Sequence, residues 1–229
     1  TGVAYTSVTD SMVRGGALRE RFDVLVIPDI TLREARDGMS ERQVPERYAG
    51  GLGSAGLEAL RAFAEAGGTL VLLDRSSELA SGAFGLPIRR ITPAAPMAES
   101  GGGADAATGP ARQALYAPGS ILRVLVNGAH PVAAGMPDTA AVYFTNSTTL
   151  DVSDVAGARV IARYPARAED ILMSGFLQGG EALAGRAAAA DVPLGRGRVV
   201  MFGFRPQYRG QSVGTFKLLF NAILGAARP

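Results

Sequence analysis

The chain has no cysteine and a single histidine in 229 residues. Without a thiol there can be neither a disulfide nor a thiolate nucleophile. One imidazole excludes the zinc sites built on two or three. No apolar run approaches the ~18 residues that a membrane-spanning helix needs, and the first residues lack the pattern of a secretory signal. Lys/Arg runs are also missing. The formal charge is only +2, from 23 basic and 21 acidic residues, so nucleic acid is a poor partner class. No repeat of fixed period is visible.

What is present suits a globular domain. Hydrophobic residues make up 47% and charged residues 19%, enough apolar side chains for a sizeable core in one domain spanning 1–229. Short β-branched runs alternate with helical patterns. "VAYTSVT" (Val3–Thr9) reads as a strand, and "FDVLVIPD" (Phe22–Asp29) as a buried strand meeting a loop. "REARDGMSERQVPERYAGGLG" reads as loop or frayed helix. In "SAGLEALRAFAEAGG", Ser54 is the expected N-cap. Leu57, Leu60, Phe63 and Ala64 recur at helical spacing, and Gly67-Gly68 ends the pattern. "TLVLLD" (Thr69–Asp74) is a second buried strand, and "SSELASGAFG" starts another helix. This order argues for a doubly wound α/β sheet.

Residues 92–118, rich in Gly, Ala and Pro, read as a flexible surface loop. Beyond them "SILRVLVN", "AAVYFTNS", "ARVIARY", "ILMSGFL" and "RAAAADVPLG" follow closely, as strands of a β-rich portion would. "GRVVMFGF" then leads through Arg-Pro-Gln to a C-terminal helix whose expected inner face is Phe216, Leu219, Phe220 and Ile223.

Four stretches, "AGGTLVLLDRSSELA", "HPVAAGMP", "VPLGRGRVVMFGFRPQYRGQ" and "TFKLLFNAIL", together resemble one family. It is the class I glutamine amidotransferase-like domain found C-terminal to the peptidase domain of bacterial M14-family zinc carboxypeptidases. The likeness runs from about Val3 to Leu224. It implies a flavodoxin-like doubly wound sheet with an added β-rich portion, lacking its first strand here. This chain would then be the C-terminal part of a longer polypeptide whose upstream peptidase portion is its partner. The absent strand would leave two exposed ladder edges. Zinc is implied for that peptidase portion and no cofactor for this chain. The resemblance also implies a periplasmic or secreted location.

Class I amidotransferases place a Cys at a sharp strand-to-helix turn, with His and Glu on a second strand end. Set against that pattern, the nucleophile position reads Asp74, the His position Arg205 and the Glu position Gln207. Arg205 stays protonated near neutrality and cannot act as a general base, and Gln207 has no charge with which to orient one. The resemblance therefore implies a degenerate triad without amidotransferase chemistry. Because an acid replaces the nucleophile and a cation replaces the His, we expect a bidentate Asp74–Arg205 ion pair across the old site.

Other residues offer alternatives. Ser76 and Ser77 are candidate nucleophiles, although serines there more often cap the next helix. His130, beside Pro131, is the one conventional base for Ser76 or Asp74 in a hydrolase, and otherwise a structural His. Thr1 as an N-terminal nucleophile fits a two-sheet sandwich, not this pattern. In "RPQYRGQ" the side chains of Arg205, Gln207, Arg209 and Gln211 could receive a carboxylate such as a peptide C-terminus, with Asn146 and Ser147 lining the same cleft. Three readings follow: a non-catalytic accessory domain that packs on a peptidase or binds a substrate end, a hydrolase using His130, or a purely structural or oligomerisation module.

Overall fold

The computed structural model describes residues 4–45, 49–91, 115–210 and 212–225. Three parallel strands form one half of the sheet. They are β1 (Val24–Ile27), β2 (Thr69–Leu73) and the last strand in the chain, β10 (Gly197–Phe202), which lies next to β2. β2 and the Val199–Phe202 part of β10 are continuous apolar runs because both sheet faces are covered there, whereas β1 leaves Val26 exposed. Leu70 and Leu72 of β2 enter one core with Val199 and Met201 of β10, while Val71 and Leu73 enter the other with Val200 and Phe202.

The first core is closed by α1 (Asp10–Arg14), α2 (Leu18–Arg21), α3 (Leu32–Asp37), α4 (Gly53–Glu65) and α5 (Glu78–Gly82). The second is closed by α6 (Val213–Leu224). The other half of the sheet is antiparallel. From β10 it continues through β9 (Ala187–Leu194), β7 (Arg159–Arg163) and β4 (Ser120–Val126) to β5 (Thr139–Phe144). β3 (Arg89–Ile91) pairs with β6 (Thr149–Asp151), β6 also with β9, and β8 (Leu172–Ser174) with β4.

Several expectations are corrected. The described part of Val3–Thr9 is not a strand: residues 4–9 run without a ladder partner, and β-branched composition alone cannot supply one. The frayed segment after Ile30 contains a true helix, α3, fixed by a capping box between Thr31 and Glu34. α4 starts at Gly53, and Ser54 does not cap it. The buried face of α6 is Thr215, Leu218, Leu219 and Ala222, whereas Phe216, Phe220 and Ile223 are only half-buried. The docking of α6 decides this, because Asn221 Nδ2 donates to the carbonyls of Val132 and Ala134. β1 pairs directly with β2, so the described sheet has no gap at its centre, and β1 is one border of it. Of the expected loop at 92–118, residues 92–114 lie outside the described residues.

Close backbone packing sets where β10 ends. A Cβ on Gly203 would sit 2.4 Å from the Thr148 carbonyl oxygen and 3.2 Å from that of Ala188. Gly203→Ala is therefore expected to cost roughly 1–3 kcal/mol, as overpacking does. Gly128→Ala, with open space around its added methyl, should stay near neutral. Denaturant midpoints of the two variants decide it, and equal midpoints would show that β10 and the 145–148 loop do not approach so closely.

Candidate functional site

Asp29, Asp74 and Arg205 follow the carboxyl ends of β1, β2 and β10, where open α/β sheets place ligands and catalytic groups. At the end of β2 the chain reverses through a 3-10 turn over Asp74–Ser77. Asp74 itself has φ +53°, a left-handed conformation that a non-glycine residue adopts only under constraint. The constraint is visible. Ser76 Oγ accepts from the Leu73 N–H at 2.7 Å and lies 2.9 Å from the Leu73 carbonyl and 3.2 Å from that of Ile27. The hydroxyl therefore ties the turn to two strand ends, and the expected helix-capping role for Ser76 is corrected.

Asp74 is 0% exposed. Its Oδ2 accepts from Ser147 Oγ and from Arg205 Nε, each at 2.9 Å. The pair is not the bidentate one expected, because Arg205 divides its fork. Its Nη2 lies 2.6 Å from Asp29 Oδ2, and Arg75 Nε donates to the other Asp29 oxygen at 2.7 Å. Two carboxylates and two guanidiniums thus alternate as Asp74, Arg205, Asp29 and Arg75, with Glu34 3.8 Å from Arg75. Burial first, and the charge of Asp29 second, push the Asp74 carboxyl up to about 6, against the pull of Ser147 and Arg205. Among the described residues, Asp74 Oδ1 and the Tyr164 hydroxyl are both buried without a protein hydrogen-bond partner.

The other candidate residues are scattered. Ser147 belongs to the network, after Asn146 at φ +48°. Gln207 is exposed, and Gln211 lies outside the described residues. Arg209 is exposed and stacks 5.2 Å above the Tyr208 ring, which in turn lies 4.4 Å from Tyr143 in a parallel stack. His130 is buried elsewhere: its Nδ1 accepts from the Val132 N–H at 3.1 Å, and its Nε2 faces Asp191 at 3.3 Å. Burial, then the charge of Arg159, lower its pKa against the opposing pull of Asp191. The polar atoms of Ser76 and His130 are thus engaged with different neighbours, and the two do not form a hydrogen-bonded dyad. Among the described residues no group of three His, Cys, Asp or Glu side chains is placed to hold a metal ion. Asp29, Arg75, Tyr143 and Tyr164 were not singled out from sequence. Asp29 carried a signal, since like Asp74 it follows an apolar strand directly.

No protein-family model and no curated protein matches the chain. Solved structures do. A cytoplasmic protein of Salmonella typhimurium is 15% identical, with 96% of this chain and 80% of that one covered at a TM-score of 0.51. A GMP synthase-type protein of Thermoplasma acidophilum is 9% identical, with 96% and 79% covered at 0.52. A ThuA-like protein of Bacteroides uniformis is 11% identical, with 93% and 70% covered at 0.49. The fold is glutamine amidotransferase-like.

A carboxyl that binds its proton more tightly when folded than when unfolded favours the folded state as pH falls through its folded value. Asp74, with its pKa raised to about 6, should therefore add stability between pH 7.5 and 5, by about 1.4 kcal/mol. His130, with a lowered pKa, acts in the opposite sense over the same range, so the informative quantity is the difference between the parent and Asp74→Asn. Melting temperatures from pH 7.5 to 5 should show the parent gaining on the variant as acid is added. Parallel curves would mean that Asp74 is not the group described.

Proposed function

We propose that this chain is a non-catalytic accessory domain, a pseudo-amidotransferase. Following the resemblance in its sequence, we place it beside a zinc carboxypeptidase-like peptidase portion of the same polypeptide. The observation that carries the reading is the Arg205 guanidinium seated on Asp74 at the old nucleophile turn. A permanently protonated cation stands where a base would be needed, and the carboxylate has no exposed surface from which to attack a substrate.

Packing against a second body finds support at the far side of the sheet. Leu125 on β4, Leu172 and Met173 on β8, and Phe176 just beyond are large apolar side chains left exposed. Exposed apolar side chains on these two strands are positions that a second domain would cover.

An antibody to this chain tests the partner. It should precipitate from the source cells a species longer than 229 residues, together with carboxypeptidase activity that a zinc chelator abolishes. A species of this length alone, without such activity, would overturn the reading. The ionic lock makes a separate prediction. Arg205→Ala strands a buried charge and should cost about 3 kcal/mol at pH 7.5, less at pH 5, and little in an Asp74→Asn background. Neither variant should hydrolyse glutamine. Glutaminase activity appearing in any of them would contradict the non-catalytic assignment.

A further inference from the structure

Among the described residues the sheet ends at β5, which pairs with β4 on one side and with no strand on the other. The phase of that pairing decides which groups the free edge presents. Val126 donates its N–H to the Asp138 carbonyl at 2.8 Å, directly opposite it in the β4–β5 register. Hydrogen-bonded and non-bonded pairs alternate along an antiparallel ladder. Ala140, Val142 and Phe144 therefore turn their N–H and C=O groups to β4, whereas Thr139, Ala141 and Tyr143 turn theirs outward. Among the described residues these outward groups have no hydrogen-bond partner. They recur at every second residue over about 14 Å, the spacing at which an extended chain presents its own.

Edges of this kind are usually blunted by charge, proline or a bulge. β5, with the sequence "TAAVYF", has no charge and no proline, and its register with β4 is unbroken over six pairs. A groove of about 380 Å³ lies between β5 and the start of α6. Thr139, Ala141 and Tyr143 line it from the strand, and Ser212, Val213 and Gly214 from the helix start. None of its lining residues is charged. A charged side chain laid there would leave water without a partner, so the lining suits an uncharged occupant. A second copy joined edge to edge by a two-fold axis would bring its own α6 to the same place. A single extended segment would not.

We propose that the outer edge of β5 is a docking site for an extended, uncharged segment of a partner protein, which adds to the sheet as a further strand. Its main chain pairs with the outward groups of Thr139, Ala141 and Tyr143, and side chains on one of its faces enter the groove beside α6. The inference goes beyond the accessory reading, which does not require it.

The test uses the 229-residue chain with three probes: acetyl-Thr-Val-Thr-Val-Thr-amide, its fully N-methylated analogue, and acetyl-pentalysine-amide. Hydrogen exchange of single amides, followed by NMR, reports occupancy of the edge. The first peptide at saturation should slow exchange at Thr139, Ala141 and Tyr143 by at least about 5-fold. Ala140 and Val142, already bonded to β4, should not change. The N-methylated and lysine peptides should bind at least about 10-fold more weakly. Ala141→Pro removes one outward donor and keeps the bonds to β4, and it should weaken the first peptide by a similar factor, about 10-fold. No protection at about 5 mM peptide overturns the proposal. So does equal binding of the N-methylated analogue by the parent chain, a comparison that needs no variant to fold. Equal binding of the lysine peptide overturns the uncharged assignment. Concentration-dependent dimers that protect the same amides without peptide would make the occupant a second copy and overturn the partner assignment. None of these results bears on the antibody experiment, so failure of the edge site and failure of the accessory reading are separable.

Discussion

A carboxylate with no exposed surface must find its compensation inside the protein, and for Asp74 that compensation is Arg205. Removing such a charge from water costs several kcal/mol per ion unless partners restore what the solvent gave. Ser147 and Arg205 restore it at one oxygen only, and the other remains without a protein partner. The neighbouring Asp29 makes the balance worse for Asp74, yet it also holds Arg205 in place. The arrangement is therefore tense. Arg205 lies between two acids, and the more deeply buried of them holds its proton more tightly than an ordinary aspartate does.

Much of the surrounding backbone is arranged around that contact. Gly203 lets the end of β10 lie against the Thr148 carbonyl, two residues before Arg205. Asn146 takes a left-handed conformation one residue before Ser147, and Asp74 takes another. Two strained residues on loops far apart in sequence thus deliver a hydroxyl and a carboxylate to one point. Strain of this kind persists only where the surroundings over-determine it. Here the Ser76 hydroxyl and the strand ends of β1 and β2 do so.

The parallel half of the sheet was legible because strands buried on both faces read as unbroken apolar runs, as "TLVLLD" and "GRVVMFGF" do. β3 and β6, three residues each, were not legible, since "RRI" and "TLD" have no pattern and are strands only through pairing, β3 with β6 and β6 also with β9. The stretch before Thr9 erred the other way, with strand-like composition but no partner. The face of α6 was misjudged because Asn221 and the 131–134 turn determine its rotation, and neither is local to the helix. In the site, complementary charges at two strand ends were readable as a pair. That the guanidinium would divide itself between two aspartates was not, because Asp29 stands beside Asp74 only once Ile27 is registered against Leu72. The Tyr143–Tyr208 stack joins a residue of β5 to one in the turn after β10 and has no linear signature at all.

An apolar pair of similar volume would close the old turn as well as Asp74 and Arg205 do, and replacement of buried ion pairs by packed hydrophobes is often neutral or stabilising. What an apolar pair could not supply is direction. A guanidinium has a fixed plane: its Nε is set by Asp74, its Nη2 by Asp29, and its face lies over Tyr208. Tyr208 is held in turn against Tyr143, so the orientation of a buried carboxylate is carried, contact by contact, to a stacked pair of half-buried tyrosines. Leucines at the same positions would fill space without transmitting an angle. On this argument the charges of Asp74 and Arg205 matter for where they point the 205–210 turn, and their net stability is secondary.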